Sequence, residues 1–107
     1  MDPVQRLRAL CGGPRDGALL RMSLANALLA AAQPDAAIAE LQHALAFDPD
    51  YSAAWKLLGA TLNARSEAAA AMDAYRSGIS AAERRGDKQA AKEMRVFLRR
   101  LEKQASA

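Results

Sequence analysis

The sequence predicts an all-α protein built from helical hairpins repeated along the chain. Apolar and small residues recur with a period of 34 positions. Alanine and leucine dominate an apolar content of 51%, with only five aromatic residues. Proline and glycine fall between the apolar stretches. Alanine is the strongest helix former and β-branched residues are few, which disfavours a sheet. At 107 residues the chain has room for one domain, 1–107.

The period is read by sliding the sequence on itself. A shift of 34 residues places Leu24 on Leu58, Ala25 on Gly59, Leu28 on Leu62, Ala37 on Ala71, Leu41 on Tyr75 and Ala44 on Gly78. A second shift places Val4 on Ile38, Leu7 on Leu41, Leu10 on Ala44 and Cys11 on Leu45. These positions follow the i, i+3, i+4, i+7 spacing of one helix face. Small residues (Ala25, Gly59, Ala37, Ala71, Ala44, Gly78) let two helices cross closely. Leu24, Leu28, Leu41, Trp55, Leu58, Leu62 and Tyr75 fill the space between.

Taken in order, Pro3 to Cys11 reads as a short helix stopped by Gly12-Gly13-Pro14, where glycine accepts a positive φ and proline cannot continue. A helix from Asp16 or Gly17 to Ala32 follows. Pro34 then opens another that runs to Phe47, proline being tolerated in a first turn. Asp48-Pro49-Asp50 is a turn. Helices over 52–64 and 67–84 form the next hairpin, with Ser66 as the expected N-cap of the second. Arg84 to Asp87 turns the chain, and a last helix from Lys88 to Gln104 carries Ala90, Met94, Phe97, Leu98 and Leu101 on one face.

The stretch Trp55-x2-Leu58-Gly59-x2-Leu62 followed by Ala71-x3-Tyr75-x2-Gly78 resembles the tetratricopeptide repeat, in the manner of small bacterial domains of that type. The resemblance implies an α-α superhelix of five to six helices. Its parts are a half repeat at 1–15, full repeats at 18–51 and 52–85, and a capping helix at 87–104. Repeat arrays generally need about three units to bury a continuous core, so the flanking helices, or self-association, must supply surface.

Chemistry has little purchase here. His43 is the one histidine and Cys11 the one cysteine; two such residues make neither a zinc site nor a catalytic pair. Gly12-Gly13 lacks the strand and the Gly-Lys-Ser/Thr of a phosphate loop. Cys11 aligns with apolar Leu45 and is expected to pack rather than react. No cofactor and no enzymatic activity are expected. No apolar run reaches the roughly 18 residues of a membrane span. Without a signal-like start and with one cysteine, the expected setting is cytoplasmic.

The resemblance implies protein binding. In the family, the first helix of each hairpin lines a concave groove that takes an extended peptide or a helix. Here that surface comprises Met22, Asn26 and Leu29, then Lys56, Ala60 and Asn63, with Leu19 and Ala53 beside them. Some members grip a C-terminal carboxylate with Lys, Asn, Asn, Lys and Lys/Arg. Asn26 matches one asparagine, Met22 and Leu57 replace two others, and Lys88 and Lys92 match the last pair if the final helix shifts by one residue.

Net charge is +3, and it is concentrated late. Residues 83–107 hold eight Lys or Arg against four acids, and residues 1–82 hold seven against eight. A groove with a basic end made by Lys56, Lys88, Lys92 and Arg95 favours an acidic partner segment by electrostatic steering. The expected function is a non-catalytic adaptor or scaffold. Two alternatives remain open: a homodimer formed through an open end of the array, and polyanion binding along Lys88, Lys92, Arg95 and Arg99. No aromatic interleaves that stripe to stack on bases, which weighs against nucleic acid.

Overall fold

The computed structural model describes residues 1–107. It contains six helices and no strand: α1 (Pro3–Arg8), α2 (Ala18–Ala30), α3 (Pro34–Phe47), α4 (Ser52–Ala64), α5 (Ala68–Arg85) and α6 (Lys88–Ser106). None is long and apolar enough to cross a membrane. The helices fall into two compact units, Met1–Pro49 and Asp50–Ala107.

In the first unit, α1 packs on α2, and α2 and α3 pack together as a hairpin. Asp2 and Gln5 close a capping box at the start of α1, with Gln5 N–H donating to Asp2 Oδ1 at 2.9 Å. Helix α1 ends at Arg8 rather than Cys11. Its last residues tighten into three-residue turns, Leu10 N–H to Leu7 O and Cys11 N–H to Arg8 O. Gly12 then takes φ +81°, which an L side chain rarely adopts. In the hairpin, Leu24, Ala25, Leu28, Ala37, Leu41 and Ala44 are all fully buried.

A largely buried ion cluster ties the three segments of this unit. Arg21 on α2 holds Asp16, in the preceding loop, through Nε and Nη2 at 2.9 and 2.8 Å. Its Nη1 reaches Glu40 on α3 at 2.7 Å. Side-chain exposures are 14% for Arg21, 11% for Asp16 and 13% for Glu40, so water competes little for these bonds. The Gly12 and Gly17 N–H groups also donate to Asp16, at 2.7 and 2.9 Å. The Arg21 guanidinium, with these backbone donors, holds the Asp16 carboxyl well below the usual carboxylate range.

In the second unit, α5 packs against both α4 and α6, and α6 touches α4. Close approach governs it. A Cβ added at Gly59 would lie 2.5–2.7 Å from the Tyr75 ring, and one at Gly78 would lie 2.6 Å from Trp55 Cβ and 2.5 Å from Met94 Sδ. Only glycine fits at either crossing. Asp87 caps α6, accepting from Ala90 N–H at 3.1 Å and from the Ser52 hydroxyl, at the start of α4, at 2.9 Å. These donors lower the Asp87 pKa. Gly86, at φ +77°, makes the turn between α5 and α6.

Both first-type helices end alike. After α2, Ala32 adopts φ +57°, and Gln33 N–H bonds back to Leu28 O at 2.9 Å. After α4, Ser66 adopts φ +62°, and Glu67 N–H bonds to Leu62 O at 2.9 Å. Each is a Schellman closure with a non-glycine residue in the left-handed position. Ser66 is therefore the closing residue of α4, not the N-cap of α5. Glu67 occupies that N-cap position, with no side-chain cap bond. The last helix runs two residues beyond the expected Gln104, to Ser106.

Three results test this account. The left-handed conformation costs an L residue about 1–2 kcal/mol, part of which glycine returns as chain entropy. Ala32→Gly or Ser66→Gly should therefore raise stability by about 0.5–1 kcal/mol, read as a higher urea midpoint. Gly59→Ala should lower stability by about 1–3 kcal/mol, because the buried Tyr75 ring must move. Asp16 and Asp87 both titrate lower when folded than when unfolded, so the unfolded chain takes up protons first. Stability should hold above about pH 4 and fall as the pH drops below it. Asp16→Asn with Asp87→Asn should flatten that fall in urea titrations at pH 6 and pH 3.

Candidate functional site

The uncovered surface follows the repeat. On α2, Leu19, Asn26 and Ala30 are exposed, flanked by half-buried Met22, Ser23 and Leu29. On α4, the positions 34 residues later are Ala53, Ala60 and Ala64, again exposed, flanked by Lys56, Leu57 and Asn63. Neither stripe is closed over by its own unit. Leu19, at 73% exposure, is the most open large apolar side chain within a helix.

On α2, Met22, Asn26 and Leu29 are spaced i, i+4, i+7 and so lie along one side of the helix. Asn26 is exposed, and its Nδ2 donates to Met22 O at 3.2 Å. On α4, Lys56 Nζ meets Glu93 Oε1 of α6 at 3.1 Å, so its charge is answered within the chain. Ala60 is exposed without side-chain polarity. Asn63, one turn on, is exposed at the rim of a crevice where α4, α5 and α6 meet.

Lys88 and Lys92 are both exposed on α6. Lys88 borders a shallow cleft with Glu83, Gly86, Ala91 and Arg95, and Arg95 pairs with Glu83 at 2.8 Å. Successive residues turn by about 100°, so Lys88, Lys92, Arg95 and Arg99 form one stripe, offset from the Glu93 flank that meets α4. Lys56 and the two lysines of α6 thus face different neighbours.

The α4–α5–α6 crevice is lined by Asn63, Tyr75, Phe97, Arg100, Leu101 and Gln104. Tyr75 is 3% exposed, and burial pushes its phenol pKa up. Its ring lies 5.7 Å from Phe97, centroid to centroid, and Arg100 Cζ lies 6.0 Å from the Phe97 centroid. Sequence reasoning assigned Tyr75 and Phe97 to packing and gave Arg100 and Gln104 no part. No sequence spacing joins these residues, because three helices bring them together.

Cys11 is half-buried rather than fully packed, with Sγ 3.7 Å from Leu7 O, and burial raises its thiol pKa. His43 is exposed, with Nδ1 2.9 Å from Arg21 Nη1, at the edge of the ion cluster.

Comparison with known proteins places this arrangement. A family model described as tetratricopeptide repeat matches residues 18–61. The TPR repeat-containing protein PA0015 of Pseudomonas aeruginosa is 46% identical over 100 residues, covering 94% of this chain and 95% of that protein. Among solved structures, protein BPP2914 from Bordetella parapertussis is 44% identical with a TM-score of 0.81, covering 97% of this chain and 90% of that one. A tetratricopeptide repeat domain protein from Salinibacter ruber is 26% identical with a TM-score of 0.77, covering 83% and 89%. The 34-residue period, the glycine crossings at Gly59 and Gly78 and these likenesses have one explanation: the chain belongs to the tetratricopeptide repeat family.

Proposed function

We propose that this protein is a non-catalytic adaptor that holds a peptide or helix of a partner protein on the uncovered faces of α2 and α4. Tetratricopeptide domains are generally protein–protein interaction modules, which supplies the class. The observation that carries the finer reading is the matched exposure of equivalent stripes, Leu19–Asn26–Ala30 on α2 and Ala53–Ala60–Ala64 on α4. Packing within each unit leaves the same face of each first helix open, in both repeats. The repeats are assigned to 18–51 and 52–85.

The two faces differ in chemistry. That of α2 offers apolar Leu19, Met22 and Leu29 around one amide, Asn26. That of α4 offers an alanine track, over which a partner backbone can approach closely. Lys56 is held by Glu93, so it acts as a fixed polar rim more than as a free charge. Rigid helices presenting fixed side chains lower the ordering cost of binding.

Asn26→Arg combined with Ala60→Arg places a long charged side chain in the middle of each stripe. Both positions are exposed, so the fold should be retained by circular dichroism, with the unfolding free energy from urea titration changed by less than about 0.5 kcal/mol. Affinity capture from lysate should lose its partner with this variant. Equal capture by variant and parent would remove the α2 and α4 faces from consideration.

A further inference from the structure

The α4–α5–α6 crevice has a chemical character that packing leaves unexplained. Tyr75 is almost wholly buried, yet its hydroxyl makes no hydrogen bond within the chain, and desolvation is the one influence on its titration. No side-chain nitrogen or oxygen sealed from the surface lacks a partner. The Tyr75 hydroxyl is therefore not sealed, and Tyr75 is one of the residues that line the crevice. Buried tyrosines ordinarily find a partner for this group.

The lining of the crevice holds donors and no carboxylate. Arg100 makes no ion pair, in contrast to Arg76 and Arg95, each bonded to an acid of a neighbouring helix. Its guanidinium is steadied against Phe97, which leaves N–H edges for an acceptor. Asn63 and Gln104 add exposed amides at the rim. A guanidinium, a phenol hydroxyl and two amides beside an apolar floor suit an anionic oxygen pair.

We propose that this crevice seats the carboxylate of an aspartate or glutamate side chain carried by the bound partner segment. The inference rests on the peptide-binding reading above and deepens it. Asn63 is on the flank of the alanine track, so a segment lying along α4 can reach over that flank with an acidic side chain. The site uses none of Asn26, Lys88 and Lys92.

The test is an amide-detected NMR titration of the whole ¹⁵N-labelled protein with three short alanine peptides. One carries a central glutamate and blocked ends, one a central glutamine and blocked ends, and one is all-alanine with a free C-terminal carboxylate. The glutamate peptide should give saturable shifts at the Asn63 and Gln104 side-chain amides, and the glutamine peptide should not. Arg100→Gln should weaken binding about tenfold, the scale of one charge-assisted bond. Tyr75→Phe should weaken it several-fold while leaving the urea midpoint unchanged or higher.

Absence of shifts, equal shifts from the glutamine peptide, or tighter binding of the free C-terminus would overturn the assignment. A lowered midpoint in Tyr75→Phe would do so too, by showing the hydroxyl to be structural. If capture survives Arg100→Gln but is lost with Asn26→Arg and Ala60→Arg, the crevice falls and the wider reading stands. If capture survives both, the wider reading falls.

Discussion

Close approach of helix backbones is the constraint from which the rest follows. In the second unit, Gly59 lies against the ring of Tyr75, and Gly78 lies against Trp55 and Met94. A large aromatic can enter the α4–α5 crossing because its opposite number has no side chain. The first unit meets the same demand at equivalent positions with a different division of volume. Ala25 stands for Gly59 and Leu41 for Tyr75, one methyl larger on one side and a smaller side chain on the other. Summed volume is what a close-packed interior conserves.

Polar groups then fix what packing leaves adjustable. Apolar crossing alone does not prevent one helix from sliding along another. Arg21, gripping Asp16 and Glu40 at once, pins the loop before α2 to the middle of α3. Asp87 does comparable work in the second unit by joining the start of α6 to the start of α4 through Ser52. Lys56 and Glu93 add a second tie between the same two helices, one to two turns further along each. These side chains act as register pins, and hydrogen-bond donors hold the Asp16 and Asp87 carboxyls in the charged form.

The open faces are what remain after both demands are met. In each hairpin the first helix buries one side against the second helix and leaves the side bearing Asn26 or Ala60 uncovered. Tetratricopeptide repeat domains are generally protein–protein interaction modules, and the proposed site lies on these faces. The α4 face differs from the α2 face by its alanine track and by the donor-lined crevice at its flank.

Much of the fold was legible in the residues themselves. The 34-residue period, the helix breaks at Gly12, Pro34 and Gly86, and the small residues at crossings are local or periodic properties, written in order along the chain. Helix boundaries followed from them to within a few residues. The errors came where a residue's conformation depended on what it closed. Ser66 has the composition of an N-cap, but the carbonyls ending α4 required a left-handed residue there and took it. Cys11 aligned with a core leucine, yet α1 had already tightened into turns.

The candidate site divides in the same way. Met22, Asn26, Leu29, Lys56, Ala60 and Asn63 can be assigned to helix sides because one helix carries each set, and helical spacing fixes the side. The pairing of Lys56 with Glu93, and the meeting of Asn63, Tyr75, Arg100 and Gln104 around one crevice, bring together residues of different helices that lie 12 to 41 positions apart. Sequence determined which residues share a helix face, since periodicity is a local rule. Tertiary structure alone decided which faces meet, since that depends on the angle and depth at which the glycine crossings let the helices dock.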